Sequence, residues 1–145
     1  MRKVTIYTAS IHKAGYGVWF GENDPRNKSG VVCDIFAHHN AELMAIDKAL
    51  NVVLDLLVNT RHSNFEITTN STPILNCLLG KYIDWKKEPT TAFDKHDWYL
   101  LRKCHNKIER VNRTGTIIFN YKSSHESIGI RMARRLARRK LNFGL

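Results

Sequence analysis

The sequence predicts an α/β protein, α+β-like in layout, in which an antiparallel meander of three strands precedes helices that separate two further strands. Two observations lead to this fold class. Alternating β-branched segments and turn residues fill positions 3–36, and from Asn40 the apolar residues recur at helical spacing. The length of 145 residues suits one core-forming domain, so we expect a single domain over residues 1–145.

The N-terminal segments predict the meander. Residues 3–8 alternate and are rich in β-branched side chains, which favours a strand. After a glycine-containing loop, residues 18–20 predict a second strand, whose Trp19 we place in the core. Residues 21–30 are rich in turn formers, so the third strand is expected at 31–36.

Helical spacing dominates the rest of the chain. The longest predicted helix covers residues 41–58, with Asn40 as its N-cap. A strand at 65–69 and a short helix at 71–79, with Pro73 in its first turn, follow. The remaining segments predict a helix at 94–111, a strand at 116–120 and a basic helix at 126–140.

Several protein classes are disfavoured by composition. No apolar run approaches the length of a membrane span, and the N-terminus has no apolar signal core. The three cysteines are far apart and form no Cys-x-x-Cys motif, which argues against a zinc ribbon or a disulfide framework. We therefore expect an intracellular protein, in the nucleus or the cytoplasm, with no membrane partner.

The net charge indicates a polyanionic partner. The chain carries 23 Lys and Arg against 13 Asp and Glu, a formal charge of +10. Six cations fall within residues 131–140, and a smaller basic cluster surrounds Trp85. Basic residues beside aromatic ones are typical of grooves that bind nucleic acid. The alternative is a solubilising charge spread over the whole surface.

Several stretches, in order along the chain, carry a family resemblance. They are Ile6–Ser10, residues 15–29 with the string Gly-Tyr-Gly-Val-Trp-Phe-Gly and then Asp-Pro-Arg-Asn, Asn40–Ile46, Ile67–Ser71, Trp85–Lys87, Asp97–Trp98, and His125 with Ala133, Leu136 and Ala137. Together they resemble type 1 ribonuclease H of the eukaryotic cellular branch, enzymes that cut the RNA strand of RNA–DNA hybrids. The resemblance implies a ribonuclease H-like fold with a mixed five-stranded sheet flanked by helices, here expected without a separate hybrid-binding module.

The family's chemistry uses four carboxylates that hold two divalent cations. By the motif match, these positions are occupied here by Ala9, Glu42, Asn70 and Arg134, and the family's mobile histidine falls on His125. One carboxylate remains, and a positive charge stands where a cation would bind. The resemblance therefore implies no competent catalytic site and no metal; Mg²⁺ or Mn²⁺ is expected only if the chain is active.

Three interpretations of the missing acids stay open. A natural, degenerate ribonuclease H fold accounts for all three replacements. An active enzyme with engineered changes accounts for Ala9 and Asn70, but Arg134 is not a substitution that an experimenter would choose. The last helix could also be misaligned, with another acid in use, of which Glu126 is the least excluded.

Arg134 has two possible roles at the sequence level. Its guanidinium could replace the metal and pair with Glu42 as a fork on a carboxylate. Alternatively, Arg134 points to solvent on a basic helix face.

Nucleic acid, a hybrid or another duplex, is the expected partner, and a protein partner is possible. The expected binding residues are His38, His39, Asn70, Thr72, Trp85, Lys86, Lys87, Arg135, Arg138 and Arg139. As alternatives to nucleic-acid binding, His38 and His39 could be metal ligands, and Trp85 could be a core residue. Three functions follow: an inactive nucleic-acid-binding module, a ribonuclease H that is active or inactivated by engineering, and a protein-interaction module.

Overall fold

A computed structural model describes residues 3–11, 14–32, 40–79 and 95–143. Within these ranges the order of elements is βββαβααβα, which confirms the predicted order except for an optional helix at 81–93, which lies outside the described residues. The elements are β1 (Val4–Ile11), β2 (Gly15–Trp19), β3 (Lys28–Val31), α1 (Asn40–Asn59), β4 (Asn64–Thr69), α2 (Thr72–Leu78), α3 (Lys95–Thr114), β5 (Thr116–Tyr121) and α4 (Ile128–Phe143).

The five strands form one mixed sheet in the order β3-β2-β1-β4-β5. β1, β2 and β3 pair antiparallel, whereas β4 and β5 run parallel to β1. In this register Thr8 lies beside Thr69, so the carboxyl ends of β1 and β4 meet at one edge. The predicted mixed five-stranded sheet is confirmed.

The helices cover the two faces of the sheet unequally. α1, α2 and α3 contribute to one buried cluster with Ile6 and Phe65, which forms the main core. α4 packs on the opposite face, against β1, β2 and β3. A Cβ atom on Gly17 would lie 2.0 Å from the carbonyl oxygen of Ala133, so glycine is what lets α4 approach β2 this closely.

The third strand differs from the prediction of 31–36. The ladder with β2 joins Lys28–Val31 to Gly15–Val18, and residues 33–36 lie outside the described ranges. The turn is shorter than the composition suggests, because the Asn27 side chain closes it by donating to the Gly21 carbonyl oxygen at 2.8 Å. Pairing with β2 therefore makes residues 28–31 a strand, although their own strand propensity is low.

The predicted helices are confirmed, with ends that move by a few residues. Asn40 opens α1, and Ser71 caps α2 by accepting a hydrogen bond from the Ile74 N–H. Cys77 and Cys104 are both buried, and burial raises the pKa of each thiol. None of the helices in the described ranges combines the length and apolar character that a bilayer span requires.

Candidate nucleic-acid interface

Glu42 lies in the first turn of α1, beneath the edge where β1 and β4 end. Its Oε1 atom accepts hydrogen bonds from the Thr8 hydroxyl at 3.0 Å and the Thr69 hydroxyl at 2.6 Å. Its Oε2 atom is buried and has no partner among the described residues. The side chain therefore bridges two neighbouring strands through one oxygen only.

Burial raises the pKa of the Glu42 carboxyl, and the hydroxyls of Thr69, Thr8 and Ser10 lower it in part. The residue is only 3% exposed. Removal from water disfavours the charged form of a carboxyl group. Burial at this position therefore works against the charged form, which is the form that a divalent cation needs as a ligand.

Ala9 and Asn70 directly follow Thr8 and Thr69, so the structure brings both to the same edge as Glu42. Ala9 is completely buried, and it pairs with Gly17 on the sheet face that α4 covers. Its methyl side chain supplies no ligand atom. Asn70 is half-buried and offers a neutral amide.

Arg134 does not pair with Glu42, so that hypothesis is wrong. Its Nη1 atom donates to the Ser124 hydroxyl at 3.1 Å, and no ion pair of the described residues joins it to an acid. Arg134 sits on α4, whereas Glu42 comes from α1 on the other face of the sheet and is engaged by strand hydroxyls. Nor does Arg134 point freely to solvent, because it is half-buried.

The loop after β5 is tied to both the sheet and α4. The Lys122 N–H donates to the Thr69 carbonyl oxygen at 3.1 Å. Arg131 Nη1 donates to the Ser124 carbonyl oxygen at 2.8 Å and weakly to that of His125. His125 itself is exposed, at the mouth of a depression beside Arg134.

Glu126, the acid least excluded as a substitute ligand, is engaged within this loop. Its Oε1 accepts from both the backbone N–H and the hydroxyl of Ser123, at 3.1 and 2.9 Å. These hydrogen bonds lower its pKa. The carboxylate thus stabilises the turn that precedes α4.

A depression of about 420 Å³ opens between this loop and α4, and its lining is strongly basic. α4 contains no acidic residue, and none of its arginines makes an ion pair within the described ranges. Arg135, Arg138 and Arg139 are exposed. We call this surface the α4 arginine face: Arg131, Arg134, Arg135, Arg138 and Arg139.

Like charges on the α4 arginine face stand one helical turn apart. Three pairs have i,i+4 spacing: Arg131 with Arg135, Arg134 with Arg138, and Arg135 with Arg139. Each such like-charged pair destabilises a helix by about 0.2–0.5 kcal/mol. A bound anion would relieve this repulsion, so the face favours an anionic ligand.

The donor atoms at the edge do not fit two divalent cations. Such ions need several anionic oxygen ligands, and the positions matched by the resemblance supply one carboxyl group, which is buried and whose pKa is raised. Across residues 3–11, 14–32, 40–79 and 95–143, no three His, Cys, Asp or Glu side chains are grouped as metal ligands would be.

The remaining sequence-predicted binding residues are only partly placed. Thr72 begins α2 and is exposed, near the end of β4. His38, His39, Trp85, Lys86 and Lys87 lie outside the described residues.

Sequence analysis missed two sets of site residues. Thr8, Ser10 and Thr69 surround Glu42, and Ser124 with Arg131 organises the loop beside α4. Thr8 and Ser10 alternate on one face of β1, but the predicted strand ends at residue 8, so the sequence prediction places only Thr8 on it. Nothing in the sequence links Ser124 to Arg134, because that contact depends on how the loop turns back.

No family model and no curated protein matches this sequence. Solved structures do match it over nearly its whole length. LC11-RNase H1, isolated from compost and solved in complex with an RNA/DNA hybrid, is 19% identical, with 97% of each chain covered and a TM-score of 0.65. RNase H1 from Halobacterium salinarum NRC-1 is 16% identical, with 98% of this chain and 99% of that chain covered and a TM-score of 0.63.

A third match is a domain of a larger protein. The foamy viral protease-reverse transcriptase, solved in complex with an RNA/DNA hybrid, is 19% identical at a TM-score of 0.65; the match covers 94% of this chain and 19% of the viral one. These likenesses, together with the strand order, show that the chain has the ribonuclease H-like fold, as its resemblance implied.

Replacing Glu42 with glutamine is expected to stabilise the protein at neutral and alkaline pH. The folded chain keeps a proton on Glu42 that the unfolded chain releases above about pH 4.5, so the stability of the natural protein falls as pH rises through the raised folded pKa. Glutamine has no proton to lose, so the stability of the variant relative to the natural protein should increase as the pH rises.

Urea unfolding across a pH series measures this difference. The two proteins should converge near the acid limit, and Glu22→Gln at an exposed site should leave the pH profile unchanged. A stability difference between the two proteins that does not change with pH would contradict a raised pKa for Glu42.

Proposed function

We propose that this chain binds nucleic acid, an RNA–DNA hybrid or another duplex, through the α4 arginine face and does not cleave it. The observation that carries the proposal is the clustering of arginines around one depression with no carboxylate to neutralise them. Guanidinium groups match phosphate oxygens as two-pronged donors, and binding to a polyanion releases condensed counterions.

Two further observations support the class of ligand. LC11-RNase H1 and the foamy viral protease-reverse transcriptase, which share the fold, are both described in complex with an RNA/DNA hybrid. The overall charge of +10 also favours association with a phosphate backbone over association with an acidic surface of limited extent.

The absence of cleavage is proposed from the donor set. Ala9, Asn70 and Arg134 stand at the positions that the resemblance assigns to acids, and the remaining Glu42 is buried, which raises its pKa. We therefore propose a degenerate relative of type 1 ribonuclease H. The Gly15–Gly21 and Asp24–Asn27 motifs support placing it near the eukaryotic cellular branch.

Binding to a labelled hybrid across a salt series tests the interface. Replacing Arg135, Arg138 and Arg139 with glutamine removes three exposed cations that form no ion pair within the described ranges. The slope of log affinity against log salt should become shallower by about 2–3, since each lost phosphate contact contributes roughly 0.7–0.9.

A charge-matched control replaces Arg61, Arg110 and Arg113, which are exposed and lie outside α4. This control should change the slope by less than about 1. Equal losses in the two triple variants would mean that binding is spread over the surface. A flat salt response, or no binding, would favour the protein-interaction function instead.

Incubating the natural chain with hybrid and Mg²⁺ or Mn²⁺ tests the second half of the proposal. We expect the labelled RNA strand to stay intact while the complex forms. Metal-dependent cutting that persists through repeated purification, and that Glu42→Ala abolishes, would overturn the proposal of an inactive module.

A further inference from the structure

A second depression, of about 520 Å³, lies on the other flank of α4, between the helix and the turn that joins β2 to β3. Trp19, Met132 and Leu136 give it an apolar lining, and Arg135 and Arg139 stand on its α4 side. Arg135 also lines the first depression, so the two depressions meet at this residue. The basic surface is therefore continuous with a pocket that has an aromatic wall.

Trp19 is half-buried at this pocket and lies outside the main buried cluster, so its predicted place in the core is wrong. Its ring packs against Tyr7, with ring centroids 5.9 Å apart and planes tilted by 53°. Tyr7 in turn abuts the backbone of Gly129, where an added Cβ would fall 2.4 Å from the Tyr7 ring. The Trp19 indole is therefore held in place by Tyr7, which is itself packed against the backbone of α4.

The opposite wall of the pocket is fixed before any ligand arrives. Asn27 accepts a hydrogen bond from the Phe20 N–H at 2.6 Å and donates to the Gly21 carbonyl oxygen. In the same turn, although not lining the pocket, Arg26 pairs with Asp24 at 2.6 Å, and its guanidinium lies 4.8 Å from the centroid of the Phe20 ring. A rigid wall reduces the entropy lost when a ligand binds.

We infer that this pocket holds an unpaired base against Trp19, while Arg135 and Arg139 hold the phosphates beside it. This inference rests on the proposed function and narrows its ligand to a duplex that carries a single-stranded segment. Each base has a π face that can stack on an aromatic side chain, but a base inside a duplex has both faces covered. Glu22, also at the pocket, repels phosphates and so directs them towards α4.

The chemistry of the pocket fits a nucleobase better than a second phosphate. Its volume lies within the range of about 300–1,000 Å³ that is common for small-molecule sites. A base that covered the half-buried Met132 and Leu136 with its ring face would remove their apolar surface from water, which favours binding. The exposed Asn23 and the half-buried Ser29 place polar groups around this apolar lining, where the edges of a base could bond.

Three DNA probes with the same duplex sequence distinguish binding of a base from binding of phosphates. The first is a blunt duplex, the second carries a short thymidine overhang, and the third carries an abasic overhang with the same number of phosphates. The natural chain should bind the thymidine overhang about tenfold more tightly than the abasic one, the scale of one base stacked on an aromatic ring.

Trp19→Leu keeps apolar bulk but removes the aromatic face, so it should abolish this preference and leave blunt-duplex affinity unchanged. Trp19→Phe should restore most of the preference. Tyr121→Leu, a half-exposed aromatic on β5, is the matched control and should behave like the natural chain. Equal affinity for the thymidine and abasic overhangs, or a preference that survives Trp19→Leu, would overturn the inference.

Photocrosslinking provides a second measurement if Trp19→Leu fails to fold. An overhang that carries iodouracil should attach to the peptide containing Trp19 or Met132, and attachment solely to other peptides would refute the inference. Failure of the proposed function looks different, because no probe would then bind in a salt-dependent way or respond to the triple arginine variant.

Discussion

Replacing Asp47 with alanine is expected to lower the free energy of unfolding by about 3–5 kcal/mol, because it leaves Lys107 buried without its counter-charge. Asp47 is 2% exposed on α1, and its Oδ1 lies 2.5 Å from the Lys107 Nζ on α3. Lys107 also donates to the Asn51 side chain at 2.6 Å. The pair joins the two long helices of the main core, so its loss should loosen their packing.

Urea unfolding checks this expectation with two companions. Asp55→Ala, one exposed acid further along α1, should cost less than about 1 kcal/mol. The double variant Asp47→Leu, Lys107→Met removes both charges and should recover most of the loss, since apolar replacements of a buried pair are often neutral. A double variant as unstable as Asp47→Ala would show that the charges themselves are needed.

Replacing Gly17 with alanine should cost about 3 kcal/mol or more and weaken hybrid binding together with stability. The added methyl group would lie 2.0 Å from the Ala133 carbonyl oxygen and 3.0 Å from the Ala137 nitrogen, which are backbone atoms that no side-chain rotation can move. α4 would therefore have to shift as a whole. Because α4 carries the arginine face, affinity for a labelled hybrid should fall as well.

Gly30→Ala is the matched control on the neighbouring strand. There the added atom meets the ring and hydroxyl of Tyr16, the far end of a side chain that can rotate. Its effect on the thermal midpoint should be clearly smaller, and hybrid binding should be retained. Equal losses for the two glycine variants would contradict the view that the backbone contact of α4 is the rigid one.

Elements with strong periodicity could be predicted from the sequence. α1 covers Asn40–Asn59 against a prediction of 41–58, and β5 covers Thr116–Tyr121 against 116–120. Long helices bury a regular stripe, which fixes their phase. β3 could not be placed correctly, because its position depends on pairing with β2 and on a turn closed by the Asn27 side chain.

The candidate site was predictable as a set of positions but not as a set of contacts. The sequence places Ala9 and Asn70 at strand ends, and the parallel register of β1 and β4 brings them to one edge with Glu42. The partners of Glu42 and Arg134 required coordinates, since opposite charges in a sequence do not reveal which face of the sheet each one occupies. Trp19 was misplaced because an apolar residue in a strand can border a surface depression as well as a core.

The close packing of α4 against Gly17 affects how the α4 arginine face can change over evolutionary time. The distance between α4 and the sheet is set by a contact between main-chain atoms, so the position of α4 does not depend on its outward side chains. Substitutions at those outward positions can therefore accumulate without unfolding the domain, and the electric field that the domain presents can be retuned one residue at a time. The exposed arginine at position 138 is one outcome that such tolerance permits.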